Sequence, residues 1–131
     1  MSHMRSCIAG VSPDNVPLLT AALEGVGFPL PTVFGRLNVT EIGLNIPDVL
    51  VVDLDATDID AMEMLRLVRF VLRTCVIAAY TNRSSRSWAL ESHLAGAHCI
   101  LSKANDEAHL VAGLSHAFKT GCFPDPSIVA A

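Results

Sequence analysis

The sequence lacks any apolar segment long enough to cross a membrane, although 51% of its 131 residues are hydrophobic. A transmembrane helix needs about 20 consecutive apolar residues, and no signal peptide precedes the first apolar segment. Positive charge is also scarce, since nine Lys and Arg stand against 13 Asp and Glu. The net charge of −4 offers no footprint for nucleic acid. We therefore expect a cytoplasmic globular domain that contacts neither membrane nor DNA.

Cysteines are few, and their spacing fits no metal site. The four are Cys7, Cys75, Cys99 and Cys122. Three of them lie in or beside apolar segments, which is typical of small buried residues. We expect reduced thiols and no thiol-bound metal.

Short apolar segments alternate with amphipathic ones along the chain. The apolar segments predict strands over residues 6–11, 31–37, 49–54, 75–80 and 98–101. Helices are predicted between and after them, with N-caps at Ser12, Asp58 or Asp60, Ser84 or Ser85, and Asn105 or Asp106. This alternation implies parallel pairing through right-handed crossovers. The predicted fold is α/β, a flavodoxin-like doubly wound sheet of five parallel strands.

Polar side chains stand at the ends of three predicted strands. Asp53 ends the third, Thr81 follows the fourth and Lys103 follows the fifth. Open α/β sheets bind ligands at the carboxyl ends of their strands, so we expect these residues to form one site. The alternative for Asp53 is that it only caps the following turn.

The segments around these residues resemble the receiver domain of bacterial two-component response regulators. The matching pieces are PDVLVVDLD around Asp53, YTN at Thr81 and LAGAHCILSK ending at Lys103. The resemblance implies the (βα)5 receiver fold and a regulatory role rather than an enzymatic one. It also implies that Asp53 accepts a phosphoryl group as an aspartyl phosphate. Lys103 would pair with Asp53 and then with a phosphoryl oxygen, while the Thr81 hydroxyl would donate to another.

The resemblance further implies a Mg²⁺ ion, held in receivers by two adjacent acids after the first strand. This chain has Val11 and Ser12 at those positions, which leaves Asp53 and Asp55 as metal ligands. Mg²⁺ requires several hard oxygen ligands, and each lost carboxylate removes up to about 4 kcal/mol of attraction at an effective dielectric near 20. We expect at most a weak Mg²⁺ site, no other cofactor, and an atypical receiver, or pseudo-receiver.

Both ends of the chain also suggest a domain organisation. Residues 1–3 are interpreted as an expression-tag remnant and residues 4–121 as the receiver domain. Residues 122–131 resemble the start of the linker that follows receivers of the NarL/FixJ type. On this interpretation DNA is bound only through a missing C-terminal helix-turn-helix domain. The alternative is a single-domain regulator.

Three functions fit these features. The first is the regulatory domain of a transcriptional regulator, controlled by homodimerisation or a protein partner instead of ordinary Mg²⁺-dependent phosphorylation. The second is a pseudo-receiver that senses a small-molecule ligand, and the third is a receiver phosphorylated at Asp53 by a sensor kinase. In receivers, helix four, strand five and helix five form the usual output face, which predicts Trp88, Leu94 and Leu110 as interface residues.

Overall fold

The computed structural model describes residues 4–55, 61–83 and 85–120. Its strands are β1 (Ser6–Ala9), β2 (Thr32–Phe34), β3 (Val49–Asp53), β4 (Val76–Thr81) and β5 (Cys99–Ser102). Its helices are α1 (Val16–Val26), α2 (Val39–Leu44), α3 (Ala61–Val71), α4 (Arg86–Ala95) and α5 (Glu107–Thr120). The strands form one parallel sheet in the order β2-β1-β3-β4-β5. The predicted flavodoxin-like (βα)5 fold is confirmed.

Helices cover both faces of this sheet, so its central strands are mostly apolar. Every residue of β3 is buried. One core cluster joins the sheet to α2, α3 and α4, and includes Leu65, Val68 and Trp88. The other joins it to α1 and α5, and includes Leu19, Tyr80 and Leu110. Among the described residues, no helix is both long and apolar enough to span a membrane.

Helix α1 starts later than its sequence pattern predicts. Ser12 does not cap it; the residues after β1 form a turn in which the Asn15 amide donates to the Ser12 carbonyl at 2.9 Å. Asn15 is the N-cap residue, and a proline occupies the first helical turn. The helix ends at Gly27, whose left-handed φ of 108° suits glycine.

The other helix ends agree better with the predicted caps. Ser85 caps α4, since its side chain accepts from the Trp88 amide at 3.2 Å. Asp106 accepts from the His109 amide at 3.0 Å at the start of α5. Three other predicted cap positions lie outside the described residues: Asp58, Asp60 and Ser84.

Candidate functional site

The carboxyl ends of β3, β4 and β5 converge at one edge of the sheet. Their parallel register pairs Asp53 with Tyr80 and Thr81 with Ser102. The Lys103 amide then donates to the Thr81 carbonyl at 2.9 Å, which fastens the end of β5 to the end of β4. The structure therefore brings Asp53, Thr81 and Lys103 together, as adjacent parallel strands require.

An ion pair lies at the centre of this site. The Lys103 Nζ is 2.8 Å from Asp53 Oδ2 and 3.2 Å from Asp55 Oδ2. The side chain of Asp53 is only 3% exposed and that of Lys103 is 16% exposed. A buried carboxylate is costly unless it is paired and hydrogen-bonded. The second oxygen of Asp53 accepts from the Asp55 amide at 2.8 Å, so both oxygens are engaged.

The Asp55 carboxylate turns inward and spans the edge of the sheet. Its Oδ1 accepts from the Thr81 hydroxyl at 2.8 Å, and its Oδ2 accepts from the Asn82 amide at 2.6 Å. The Thr81 oxygen in turn accepts from the Arg83 amide at 3.0 Å. With Lys103, three donors from two other strand ends meet on this one carboxylate.

The charges of the site stabilise one another. Burial alone raises the pKa of Asp55, but hydrogen bonds from Asn82, Thr81 and Lys103 outweigh it and lower that pKa. Burial likewise acts to lower the pKa of Lys103, and its bonds to Asp53 and Asp55 outweigh this and raise it. Lys103 is therefore cationic and Asp55 anionic at neutral pH.

Tyr80 forms one wall of the site and was not anticipated from the sequence. Its ring is fully buried, and its centroid lies 5.7 Å from the Lys103 Nζ, within cation–π range. Burial raises the pKa of its hydroxyl. The only signal for this role in the sequence is its position directly before Thr81.

The residues at this edge do not supply the oxygen ligands that Mg²⁺ requires. β1 ends at Ala9, which pairs with Val52 of β3, and is followed by Gly10, Val11 and Ser12. The Val11 side chain packs into the core, and Ser12 is exposed. None of these three residues carries a carboxylate, and Asp53 and Asp55 are both bound to Lys103. Within the described ranges, no group of three or more His, Cys, Asp or Glu could hold a metal.

The predicted interface residues do not share a surface. Trp88 is 8% exposed and packs between α4 and the sheet, and Leu110 is fully buried against the opposite sheet face. These two positions correct the prediction that all three form an interface. Leu94 is 84% exposed on α4.

Response-regulator receiver domains are among the solved structures that share this fold. The isolated receiver domain of RcsB from Salmonella enterica serovar Typhimurium, solved with the phosphomimetic BeF3−, has a TM-score of 0.79 at 17% identity, covering 98% of this chain and 98% of that chain. A LuxR-family two-component response regulator from an Aurantimonas species has a TM-score of 0.74 at 22% identity, covering 98% and 94%. A CheY-like receiver domain protein from Methanospirillum hungatei has a TM-score of 0.70 at 16% identity, covering 90% and 95%.

Identities of 16–22% establish a shared fold and nothing finer. No family model matches the chain, and no curated protein matches it. The chain thus has the receiver fold, and its site must be interpreted from its own residues.

Proposed function

We propose that this chain is a regulatory domain of the receiver type that operates without ordinary Mg²⁺-dependent phosphorylation. The observation that carries the proposal is the Asp55 carboxylate, which occupies Lys103, Thr81 and Asn82 beside the buried Asp53. In this arrangement the cation at the centre of the site is the lysine ammonium itself. The domain has no enzymatic role; it presents its surface to a partner.

The chemistry of phosphoryl transfer supports this proposal. Transfer to a carboxylate needs a free nucleophilic oxygen and cations that neutralise the charge of the transferring group. Both oxygens of Asp53 are already engaged, one by Lys103 and one by the Asp55 amide. Gly10, Val11 and Ser12 supply no acid for a second cation.

Phosphorylation can be tested directly by intact-mass spectrometry. The protein is incubated with acetyl phosphate and excess Mg²⁺, beside a receiver domain that accepts phosphoryl groups under the same conditions. We expect no phosphoryl adduct on this chain. An adduct that appears on the wild type and is lost in Asp53→Asn would contradict the proposal.

We further propose that the domain signals by forming a homodimer through α4. Leu90 and Leu94 stand four residues apart on this helix and are 41% and 84% exposed. Residues at this spacing lie on one helix face, so the two leucines offer a small apolar surface on α4.

Light scattering of two matched variants tests this interface. We expect Leu94→Glu to yield monomers and Phe70→Glu, which alters a 71% exposed residue on α3, to leave the dimer intact. The reverse result would place the interface on α3 and refute the α4 assignment. A monomeric wild type would refute the dimer itself.

The proposal also includes a role in transcription. Its support is the fold shared with a LuxR-family response regulator and the resemblance of residues 122–131 to a receiver linker. In this role the chain itself makes no base contacts. Specific binding of promoter DNA by this chain in a gel shift would contradict the assignment.

A further inference from the structure

Three hydrogen-bond donors at the sheet edge meet on one carboxylate. They are the Thr81 hydroxyl, the Asn82 backbone amide and the Lys103 ammonium. All three converge within 3.2 Å of the oxygens of a single carboxylate, that of Asp55. An ammonium, a hydroxyl and a main-chain amide around one point are the donors that bind phosphate and similar anions.

We propose that Asp55 is an intramolecular anionic ligand of this oxyanion site. The site is suited to a phosphate-class anion, and the Asp55 carboxylate fills it in place of a phosphoryl group on Asp53. This inference rests on the proposed receiver-type function, because that function is what makes a phosphoryl oxygen the expected guest of Thr81 and Lys103.

Local turn geometry does not account for this position of the carboxylate. The turn after β3 is already closed by the Asp55 amide, which donates to Asp53 Oδ1 at 2.8 Å. The Asp55 side chain instead reaches partners that lie 26 and 27 residues further along the chain. Its bonds of 2.8 Å and 2.6 Å have the short lengths of charge-assisted hydrogen bonds.

Occupation by Asp55 has two consequences. It draws Thr81 and Asn82 toward the end of β3 without any covalent modification, which couples the start of the β4–α4 connection to β3. It also excludes external anions, because a phosphate would have to displace a carboxylate that is tethered at high effective concentration. The Asp55 carboxylate therefore keeps phosphate out of the wild-type site.

Removal of the carboxylate should open the site. In Asp55→Ala, inorganic phosphate should shift the backbone amide NMR signals of Thr81, Asn82 and Lys103 in a saturable manner. The wild type should bind phosphate at least about tenfold more weakly, a difference of about 1.4 kcal/mol. Asp14→Ala is the matched control, since it removes one negative charge from an exposed residue in the loop after β1. This control should behave like the wild type.

The outcomes separate this inference from the proposed function. If Asp55→Ala folds and binds phosphate no better than the wild type and Asp14→Ala, Asp55 does not fill an oxyanion site. If Asp55→Ala does not fold, Asp55→Asn keeps the shape but leaves Lys103 without its second anion. Phosphate should then shift the Asn82 and Lys103 amides, and the absence of any shift would overturn the inference. Phosphorylation of the wild type at Asp53 would contradict the proposed function, whereas the comparison of Asp55→Ala with the wild type on inorganic phosphate tests the inference by itself.

Discussion

Replacement of Lys103 by methionine should destabilise the domain strongly. Methionine keeps the length and the apolar stem of the side chain but removes the ammonium. Asp53, 3% exposed, and Asp55, 20% exposed, would then face each other without the cation that joins them. Loss of one partner from a buried ion pair is costly because it leaves an uncompensated charge.

The size of the effect follows from the distances. At an effective dielectric near 20, an ammonium 2.8 Å from one carboxylate and 3.2 Å from another gains about 6 and about 5 kcal/mol before desolvation is subtracted. Breaking a buried pair costs roughly 3–5 kcal/mol in measured cases. Solvent screening at Asp55 reduces the net loss here to about 2–4 kcal/mol. For a domain of this size that is a fall in Tm of about 8–16 °C.

Thermal and urea unfolding of a double-mutant cycle would measure this loss. The cycle combines Lys103→Met with Asp53→Asn, and Arg66→Met serves as the control because it alters an exposed residue of α3. We expect a coupling of about 1–2 kcal/mol between positions 53 and 103, and a change within about 0.5 kcal/mol for the control. A neutral or stabilised Lys103→Met variant would refute the reasoning.

The two pKa shifts fix how the stability that Lys103 and Asp55 contribute changes with pH. The raised pKa of Lys103 means that its stabilising effect is fully present below its ordinary pKa of about 10.4 and is lost as pH rises through the raised value. The lowered pKa of Asp55 means that its effect is present above about 3.9 and is lost as pH falls through the lowered value. The stabilisation from the Lys103–Asp55 pair should therefore be constant near neutral pH and be lost at both extremes.

Three further predictions concern the scaffold. Gly96→Ala should cost about 1–3 kcal/mol in urea unfolding, because φ is 131° there and an added Cβ would lie 2.7 Å from Arg69 Cβ; Gly35→Ala, with open space around it, should be near neutral. Burial, then the charges of Arg69 and His93, lowers the pKa of His98, whose Nδ1 accepts from the Ile77 amide. The Tm should therefore fall as pH drops below about 6.5, and it should fall less in the non-titrating His98→Asn variant. Burial raises the pKa of Cys99 to about 12, so a thiol reagent should label Cys99 only after denaturation. Labelling at Cys99 itself in the native protein, located by peptide mass mapping, would contradict its position in the core.

Much of the fold could be predicted because the order of apolar and polar residues marks where each helix and strand lies. The alternation of apolar and amphipathic segments predicts the parallel sheet, and α2 (Val39–Leu44) lies between β2 and β3, where a helix is predicted. The start of α1 was missed because Ser12-Pro13-Asp14 has the composition of a helix start but forms a turn. Residue type alone does not distinguish these two outcomes.

The output face could not be predicted from apolarity. On α4, Ser92 is fully buried and its hydroxyl donates to the Trp88 carbonyl at 2.9 Å, whereas Leu94 is 84% exposed. A serine can satisfy its hydroxyl within its own helix, so it tolerates burial that its polarity argues against. The hydrophobic pattern of this helix is therefore a poor guide to which side packs.

The candidate site was predictable only in part, because some of its contacts depend on backbone conformation. Asp53, Thr81 and Lys103 could be placed together because adjacent parallel strands end at one edge. The inward turn of Asp55 and the donor role of the Asn82 amide depend on loop backbone conformation, which residue types do not specify. Main-chain donors of this kind leave no mark in a sequence.

An amide NMR titration of the wild-type protein, first with excess Mg²⁺ and then with beryllofluoride, tests the central claim most directly. Beryllofluoride mimics an aspartyl phosphate, so it reports whether Asp53 can still accept such a group. A site closed by Lys103 and Asp55 predicts no shifts at Asp53, Thr81 or Lys103. Shifts at these residues that spread into α4 would show a working phosphorylation switch and contradict the account.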